Sequence, residues 1–201
     1  MIKIRVETYN ELQNLKKLQY QKRESDEQLR IRLCGLQTSL PSWKEDLIDL
    51  EDDLNHFKSQ ENFEMDDESK RLFRETIYNK LIENTNLNKE DEIGTFLSFS
   101  LVSPAFQPQG SDNLILYIKR KKRYIARVGN SPLHIMRGIN LCLSSLQKNY
   151  DELKNKIAST EKFIIDAELE LNKEDEYIDK IRQKEEYLAN IDNQLGIKKG
   201  A

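Results

Sequence analysis

Residues 132–195 read PLHIMRGINLCLSSLQKNYDELKNKIASTEKFIIDAELELNKEDEYIDKIRQKEEYLANIDNQL. These residues carry a narrow apolar stripe at helical spacing. Such a stripe needs a partner helix, because one helix cannot bury it alone. We therefore predict long coiled-coil helices over 131–201, with a kink or hairpin at the polar run 172–176. The stripe follows steps of four and three through Met136, Ile139, Leu143, Leu146, Tyr150, Leu153, Ile157, Ile164, Ala167, Leu171, Ile178, Ile181, Leu188 and Leu195.

The first 60 residues supply the predicted partner helices. Apolar and basic residues alternate over 1–6, which predicts a short strand. Helical spacing follows, and we expect that helix to end at Pro41, because proline has no amide hydrogen to donate. Ser42 and Glu45 match a capping box, which predicts that a new helix starts there. Its apolar seam would be Trp43, Leu47, Leu50, Leu54 and Phe57.

Residues 61–130 differ in kind, since they are richer in β-branched residues and turn formers. A helix is predicted over 67–83, with Leu72, Phe73, Ile77 and Leu81 facing inward. An antiparallel meander of three strands should follow, at 93–102, 114–118 and 124–128. The sequence thus predicts one α+β domain, 1–201, in which long antiparallel coiled-coil helices carry a small antiparallel β-sheet at one end.

The composition excludes several classes of protein. Charged residues make up 33% of the chain, with only 7 Gly and 4 Pro, which excludes collagen-like and linker-like chains. No apolar run approaches the ~20 residues of a membrane span, and the first residues do not resemble a signal peptide. We expect a cytoplasmic protein with no membrane contact. Cys34 and Cys142 indicate neither a disulfide framework nor a zinc site, so no metal and no cofactor is expected.

The net charge of −3 conceals two opposed patches. Lys and Arg at high density attract phosphates, and a neighbouring tyrosine can stack on a base. A cluster of this kind around the last predicted hairpin indicates contact with DNA, RNA or an acidic protein surface; a merely solvated hairpin tip is the alternative. We call this cluster the basic hairpin: Tyr117, Lys119, Arg120, Lys121, Lys122, Arg123, Tyr124 and Arg127.

The second patch is the acidic stripe, formed by Asp46, Asp49, Asp52 and Asp53. We predict that Asp46, Asp49 and Asp53 lie on an outer face of their helix, away from the apolar seam. Such a row can imitate a phosphate backbone and occupy the DNA-binding groove of a protein partner. It can also be a solvated helix face, or it can pair with the basic hairpin of a second copy in a homo-oligomer.

A third group lies where the long C-terminal helix starts. Ser131 is the predicted cap and Pro132 occupies the first turn. Arg137 and Asn140 follow, either to bind a phosphate near the free amides or to tie the sheet to the helices. No set of residues indicates catalysis, since His56 and His134 lack metal-ligand spacing and no nucleophile has a base in view. We therefore predict that the protein is not an enzyme.

Several short motifs, taken in order, resemble a known family. They are Phe63-Glu-Met65, Ile93-Gly94, Val128-Gly-Asn-Ser131, Arg137-Gly-Ile-Asn140 and the final segment 187–197. Over roughly 42–197 they resemble the C-terminal region of very large phage, plasmid and conjugative-element proteins that combine adenine-specific DNA methylase and Swi/Snf-type helicase domains. Lys173-Glu-Asp175 replaces the family's Lys-Pro-Phe-like step. Phosphate-loop and methylase motifs are missing, so the resemblance implies a mobile-element origin without catalytic activity.

Two functional hypotheses follow. The first is a non-enzymatic mobile-element protein in a bacterial host cell that binds and inhibits a host defence nuclease of the restriction or CRISPR type. The alternative is a nucleic-acid-binding or assembly module of a phage or plasmid DNA methylase–helicase machine. In either case the expected partner is a nucleic-acid-processing complex.

Overall fold

A computed structural model describes residues 1–60, 62–86, 90–107 and 113–197. It is mostly helical and contains a small four-stranded antiparallel sheet, which confirms the α+β class. The elements, in chain order, are α1 (Ile2–Ser59), α2 (Asp67–Asn86), β1 (Asp91–Phe96), β2 (Phe99–Ser103), β3 (Asn113–Lys119), β4 (Arg123–Gly129), α3 (Pro132–Ser144), α4 (Leu146–Leu171) and α5 (Glu176–Gln194).

The chain forms two compact units, and the first contains residues 1–39 with the described part of 159–201. Here the N-terminal part of α1 runs antiparallel to the end of α4 and then to α5. The Arg32 guanidinium lies 4.4 Å from the centre of the Phe163 ring. Further along, Gln19 donates to Asp175 at 3.0 Å, and Arg5 donates to Asp192 at 2.5 Å. Apolar side chains line the contact, with Leu12, Ala167, Ile181 and Ile191 buried.

The second unit, Leu40–Ala158, contains the whole sheet. The strands follow the order β1-β2-β3-β4, all antiparallel. Alternate side chains of each strand face one core, which they share with residues of α1, α2 and α3, because strand side chains point to opposite faces in turn. The fully buried members of this core include Leu81, Phe99, Leu101, Leu116, Ile118, Val128, Ile135, Ile139 and Leu143.

Two predictions about the N-terminal region are wrong. Residues 2–6 are helical rather than a strand, and Ile2 is 72% exposed. So short an alternating run takes its conformation from its surroundings, and here the helix continues to the buried Thr8 and Leu12. Pro41 lies inside α1 and does not end it, and no new helix is capped by Ser42. The helix tolerates Pro41 although an internal proline costs about 3 kcal/mol.

The strand predicted over 93–102 is in fact a hairpin of β1 and β2. Leu97 and Ser98 form its two-residue turn, and both have positive φ angles, 50° and 61°. Turns of this type usually carry Asn-Gly, so Leu-Ser gave no signal. The turn is held instead by α1, since His56 Nε2 donates to the Leu97 carbonyl at 3.0 Å.

The C-terminal stripe lies on three helices, one more than a single kink or hairpin predicts. The chain breaks at Ser145 and again after Leu171, so the kink predicted within 172–176 is confirmed. Asp175 caps α5 by accepting from the Tyr177 amide at 3.0 Å. Most of the stripe is buried or half-buried, but Ile178 is 52% exposed. On α2, Leu72 is also exposed, at 63%, contrary to its predicted inward position.

Candidate nucleic-acid interface

The basic hairpin divides into two sets that point in different directions, with the exposed Lys121 between them at the tip. Lys119 and Arg123 are paired across β3 and β4, so the residues between them form the tip. The inner set, Arg120, Lys122 and Tyr124, meets side chains of α1. The outer set lies on the other face of the sheet and consists of Tyr117, Lys119, Arg123 and Arg127.

The inner set is organised around Asp53 of α1, whose side chain is fully buried. Its carboxylate accepts the backbone amides of Lys121 and Lys122, at 3.0 and 2.9 Å. It also accepts from the Arg120 guanidinium at 3.0 Å and from the Tyr124 hydroxyl at 2.6 Å. Four donors satisfy this buried charge, which would otherwise be very costly. Asp53 therefore fixes the hairpin tip to α1, and we call this group the Asp53 cluster.

Other members of the acidic stripe pair with the same tip. Arg120 donates to Asp52 at 2.6 Å, and this bond lowers the pKa of Asp52. Lys122 pairs with Asp46. Burial, together with the hydrogen bond to Asp53, raises the pKa of Tyr124 well above its ordinary value. Asp49 has no ion-pair partner among the described residues.

The acidic stripe thus exists, but its predicted outer position is wrong. Asp46, Asp49 and Asp53 do share one helix face, as their spacing predicts. That face lies against the hairpin tip, where Asp53 is fully buried and Asp46 and Asp49 are half-buried. The inner set and the acidic stripe therefore pair within one chain, whereas such pairing was predicted only between two copies.

The outer set lies on a face of the sheet that faces away from the core. The pairing of strands places Val102, Tyr117 and Ile125 side by side in one row across β2, β3 and β4. Lys119 and Arg123 are adjacent in the next row, and Arg127 pairs with Ile115 on the other side. Ile125 is 61% exposed. An apolar and aromatic centre is therefore flanked by three cationic side chains, and we call this surface the open sheet face.

Arg123 links two features of the open sheet face. Its guanidinium lies 4.7 Å from the centre of the Tyr117 ring, which is cation–π distance. It also pairs with Glu90 at 2.8 Å, and both side chains are nearly half exposed. Exposed ion pairs contribute only about 0–1 kcal/mol. Arg123 can therefore exchange Glu90 for another anion at little cost.

The group predicted at the helix start is split by the structure. Ser131 caps α3 by accepting from the Leu133 amide at 3.4 Å, as predicted. Arg137 lines a cleft of about 320 Å³ between β4 and α3, together with Arg127 and His134. Asn140 lines a different cleft, beside Phe57.

Two exposed apolar residues of the second unit were not among the predicted site residues. Ile125 alternates with the buried Tyr124 and Ala126, and the period of two in that strand was a signal that it points outward. Phe106 is 76% exposed, in the segment that follows β2. The next residue, Gln107, bonds both the amide and the carbonyl of Ile115, at 2.6 and 2.9 Å. Phe106 thus lies one residue from a contact with the middle of β3.

No known protein family, curated protein or solved structure matches this chain. The resemblance to mobile-element methylase–helicase proteins therefore stays a prediction. Within the described residues, no helix is long and apolar enough to cross a membrane, and no group of three His, Cys, Asp or Glu residues is arranged to hold a metal ion. Both cysteines are free thiols, and burial raises the pKa of Cys142 to about 11.

Proposed function

We propose that the protein binds single-stranded nucleic acid on the open sheet face and acts as a non-enzymatic module. The observation that carries this proposal is the separation of the basic hairpin into two sets. The inner set is already bonded to α1 through the Asp53 cluster. The other presents Tyr117 and Ile125 among three cations on a solvent-facing sheet.

The chemistry of this face suits a single strand. Unpaired bases offer flat surfaces that stack on aromatic rings and on guanidinium planes, at about 1–3 kcal/mol per base. Tyr117, with Arg123 above its ring, supplies such a stack. Lys119 and Arg127 are exposed on either side and can reach the phosphates. A sheet whose aromatic residues stack bases is a known solution for RNA.

Duplex DNA suits this face less well. Stacked, paired bases cannot lie flat on Tyr117, and sequence reading in a duplex requires an element that enters a groove. The hairpin tip is the element with the shape to enter one, but Arg120 and Lys122 at that tip are paired with Asp52, Asp53 and Asp46. We therefore favour the accessory nucleic-acid-binding module over a protein that acts on duplex DNA.

Inhibition of a host defence nuclease is the alternative. In that hypothesis the acidic stripe imitates DNA, yet Asp46, Asp52 and Asp53 already pair with the hairpin. A partner would have to displace the Asp53 cluster to use them. Inhibition is therefore the less favoured function, and the binding experiment distinguishes it from the proposed one.

We also propose that the helices of the first unit form an antiparallel coiled coil. Buried apolar residues on α1, α4 and α5 support this arrangement, as does the ladder of polar contacts from Arg5–Asp192 to Gln37–Glu168. Interlocking of the two seams, knob into hole, is the expected packing.

The test is a fluorescence anisotropy titration of single-stranded RNA, single-stranded DNA and duplex DNA of one sequence. We expect the single strands to bind more tightly than the duplex, with an affinity that falls as salt rises. The double variant Lys119→Gln/Arg123→Gln should weaken binding and reduce the slope of log K against log salt by roughly 1.4, at about 0.7 per phosphate contact on a single strand.

The matched control removes two positive charges elsewhere in the same unit. Arg71 on α2 and Lys148 on α4 are exposed, so Arg71→Gln/Lys148→Gln should change the slope far less. Equal losses in both double variants would show non-specific attraction and contradict the proposal. Absence of binding to any nucleic acid, with protection of DNA from a purified defence nuclease, would instead support inhibition.

A further inference from the structure

The cleft between β4 and α3 is lined by two arginines and a histidine from two elements. Arg127 belongs to β4, and His134 and Arg137 belong to successive turns of α3. Gly129, Gly138 and Leu141 complete the lining of its roughly 320 Å³. Arg127, His134 and Arg137 are all exposed, and none makes an ion pair or a side-chain hydrogen bond with another described residue.

Two glycines allow this convergence. A Cβ atom on Gly138 would lie 2.6 Å from the Arg127 carbonyl oxygen, and one on Gly129 would lie 2.3 Å from His134 Nδ1. At Gly138 the close atom is backbone, so any other residue there would push α3 away from β4, whereas at Gly129 the His134 side chain would have to move. Such a shift would move Arg137 and His134 away from Arg127.

From this geometry we infer that the cleft binds a phosphate monoester. Two guanidinium groups donate in fixed forks that suit phosphate oxygens, and imidazole adds a third donor. A phosphate monoester carries a charge of about −1.5 to −2 at neutral pH, more than the single charge of a phosphodiester. Side chains, not the free amides at the start of α3, provide this site. Pro132 has no amide hydrogen, and the Leu133 amide already donates to Ser131.

Arg127 connects the cleft with the open sheet face, because it belongs to both. This step rests on the proposed function: the monoester is the phosphorylated end of the strand that lies on the sheet. Arg127 would hold that end beside Ile125, and the remainder of the strand would run over Tyr117 toward Lys119. The protein would then recognise a strand by its end as well as by its bases.

The cleft itself is tested with inorganic phosphate, followed by NMR of the histidine rings. Titration should shift the signals of His134 saturably and leave those of His56 unchanged, because His56 bonds the Leu97 carbonyl elsewhere. Arg137→Gln should abolish the shift, and Arg71→Gln should preserve it. Absence of a saturable shift at His134 in the unsubstituted protein would overturn the phosphate site.

Oligonucleotides of one sequence with a 5′-phosphate, a 3′-phosphate or hydroxyls at both ends test the link to the strand. One phosphorylated end should bind roughly tenfold more tightly than the hydroxyl form, the effect of about one charge-assisted hydrogen bond. Arg137→Gln should remove this preference while the hydroxyl form binds as before. Equal affinity for all three would overturn the assignment to a strand end. If the protein binds phosphate but no strand, the proposed function is overturned and the phosphate site in the cleft still holds.

Discussion

The inner and outer sets of the basic hairpin are a few residues apart in sequence and have different physical roles. Arg120 and Lys122 lie against α1 and pair with carboxylates, whereas Lys119 and Arg123 lie on the open sheet face. The same residue types thus hold the fold together on one side and remain available to a ligand on the other. Charge density alone does not identify a binding site, because the direction of each side chain decides its role.

Removal of Asp53, which holds the inner set, should have the largest effect. Asp53→Ala leaves the buried Tyr124 hydroxyl, two part-buried amides and part of Arg120 without their acceptor. Leaving even one buried donor unsatisfied costs about 1–3 kcal/mol, and Asp53 accepts from several. We expect a loss of at least this size in the free energy of unfolding of the second unit, measured by urea titration of the fluorescence of Trp43, the only tryptophan.

Asp49→Ala is the matched control, since Asp49 lies one turn away and has no ion-pair partner among the described residues. It should change stability by less than about 0.5 kcal/mol. Equal effects of the two substitutions would show that the Asp53 cluster is not what holds the hairpin tip.

On the open sheet face, Tyr117→Ala should reduce binding far more than it reduces stability. Binding of a single strand should weaken by about 1–3 kcal/mol, the value of one stacked base, with a much smaller change in stability. Tyr117→Phe keeps the ring and should keep most of the affinity. The control is Tyr20→Ala, which removes a tyrosine that is 69% exposed. A Tyr117→Ala variant that binds as well as the original protein would exclude stacking on this ring.

Alkaline pH should lower the stability of the folded protein through Tyr124 of the inner set. Its pKa is raised in the folded protein, so the unfolded chain releases this proton first and stability falls as pH rises above about 10. The loss should reach at most about 1.4 kcal/mol per pH unit. Urea titrations between pH 8 and 11 should show a steeper decline in the original protein than in Tyr124→Phe. Tyr20→Phe is the control. Parallel curves of stability against pH for the original protein and both variants would contradict the prediction.

The smallest expected effect concerns the other hairpin, which α1 also holds. Ser98 is exposed with φ at 61°, a region that glycine occupies without strain. Ser98→Gly should therefore stabilise the second unit by about 0.5–1 kcal/mol. Thr95→Gly, at an exposed strand position of the same hairpin, should destabilise it. A loss of stability in Ser98→Gly would show that the turn residue contributes more than its backbone angle.

Periodicity predicted much of this fold. The α+β class, the strands of the second hairpin, the start of α3 at Ser131 and the break within 172–176 are all confirmed. Each depends on local chemistry, such as a cap or an alternating pattern. The strand at 1–6 and the end of a helix at Pro41 were wrong because long-range packing overrode weak local preferences.

The candidate site was predicted in composition but not in arrangement. Both charged patches were identified, yet their mutual pairing depends on contacts between residues about 70 positions apart, which no local pattern contains. The division into inner and outer sets was available from the alternation of Tyr124, Ala126 and Val128 with Ile125 and Arg127. The Leu97–Ser98 turn gave no signal, because the contact that holds it comes from His56 on α1.

One consequence concerns the order in which this chain is made. Asp53 and His56, one turn apart on α1, hold both hairpin tips, but a ribosome synthesises them well before the strands. At roughly 5–20 residues per second, Asp53 would wait on the order of 3–14 s for its partners. During translation its carboxylate stays hydrated, and it can be buried only after residue 124 has emerged.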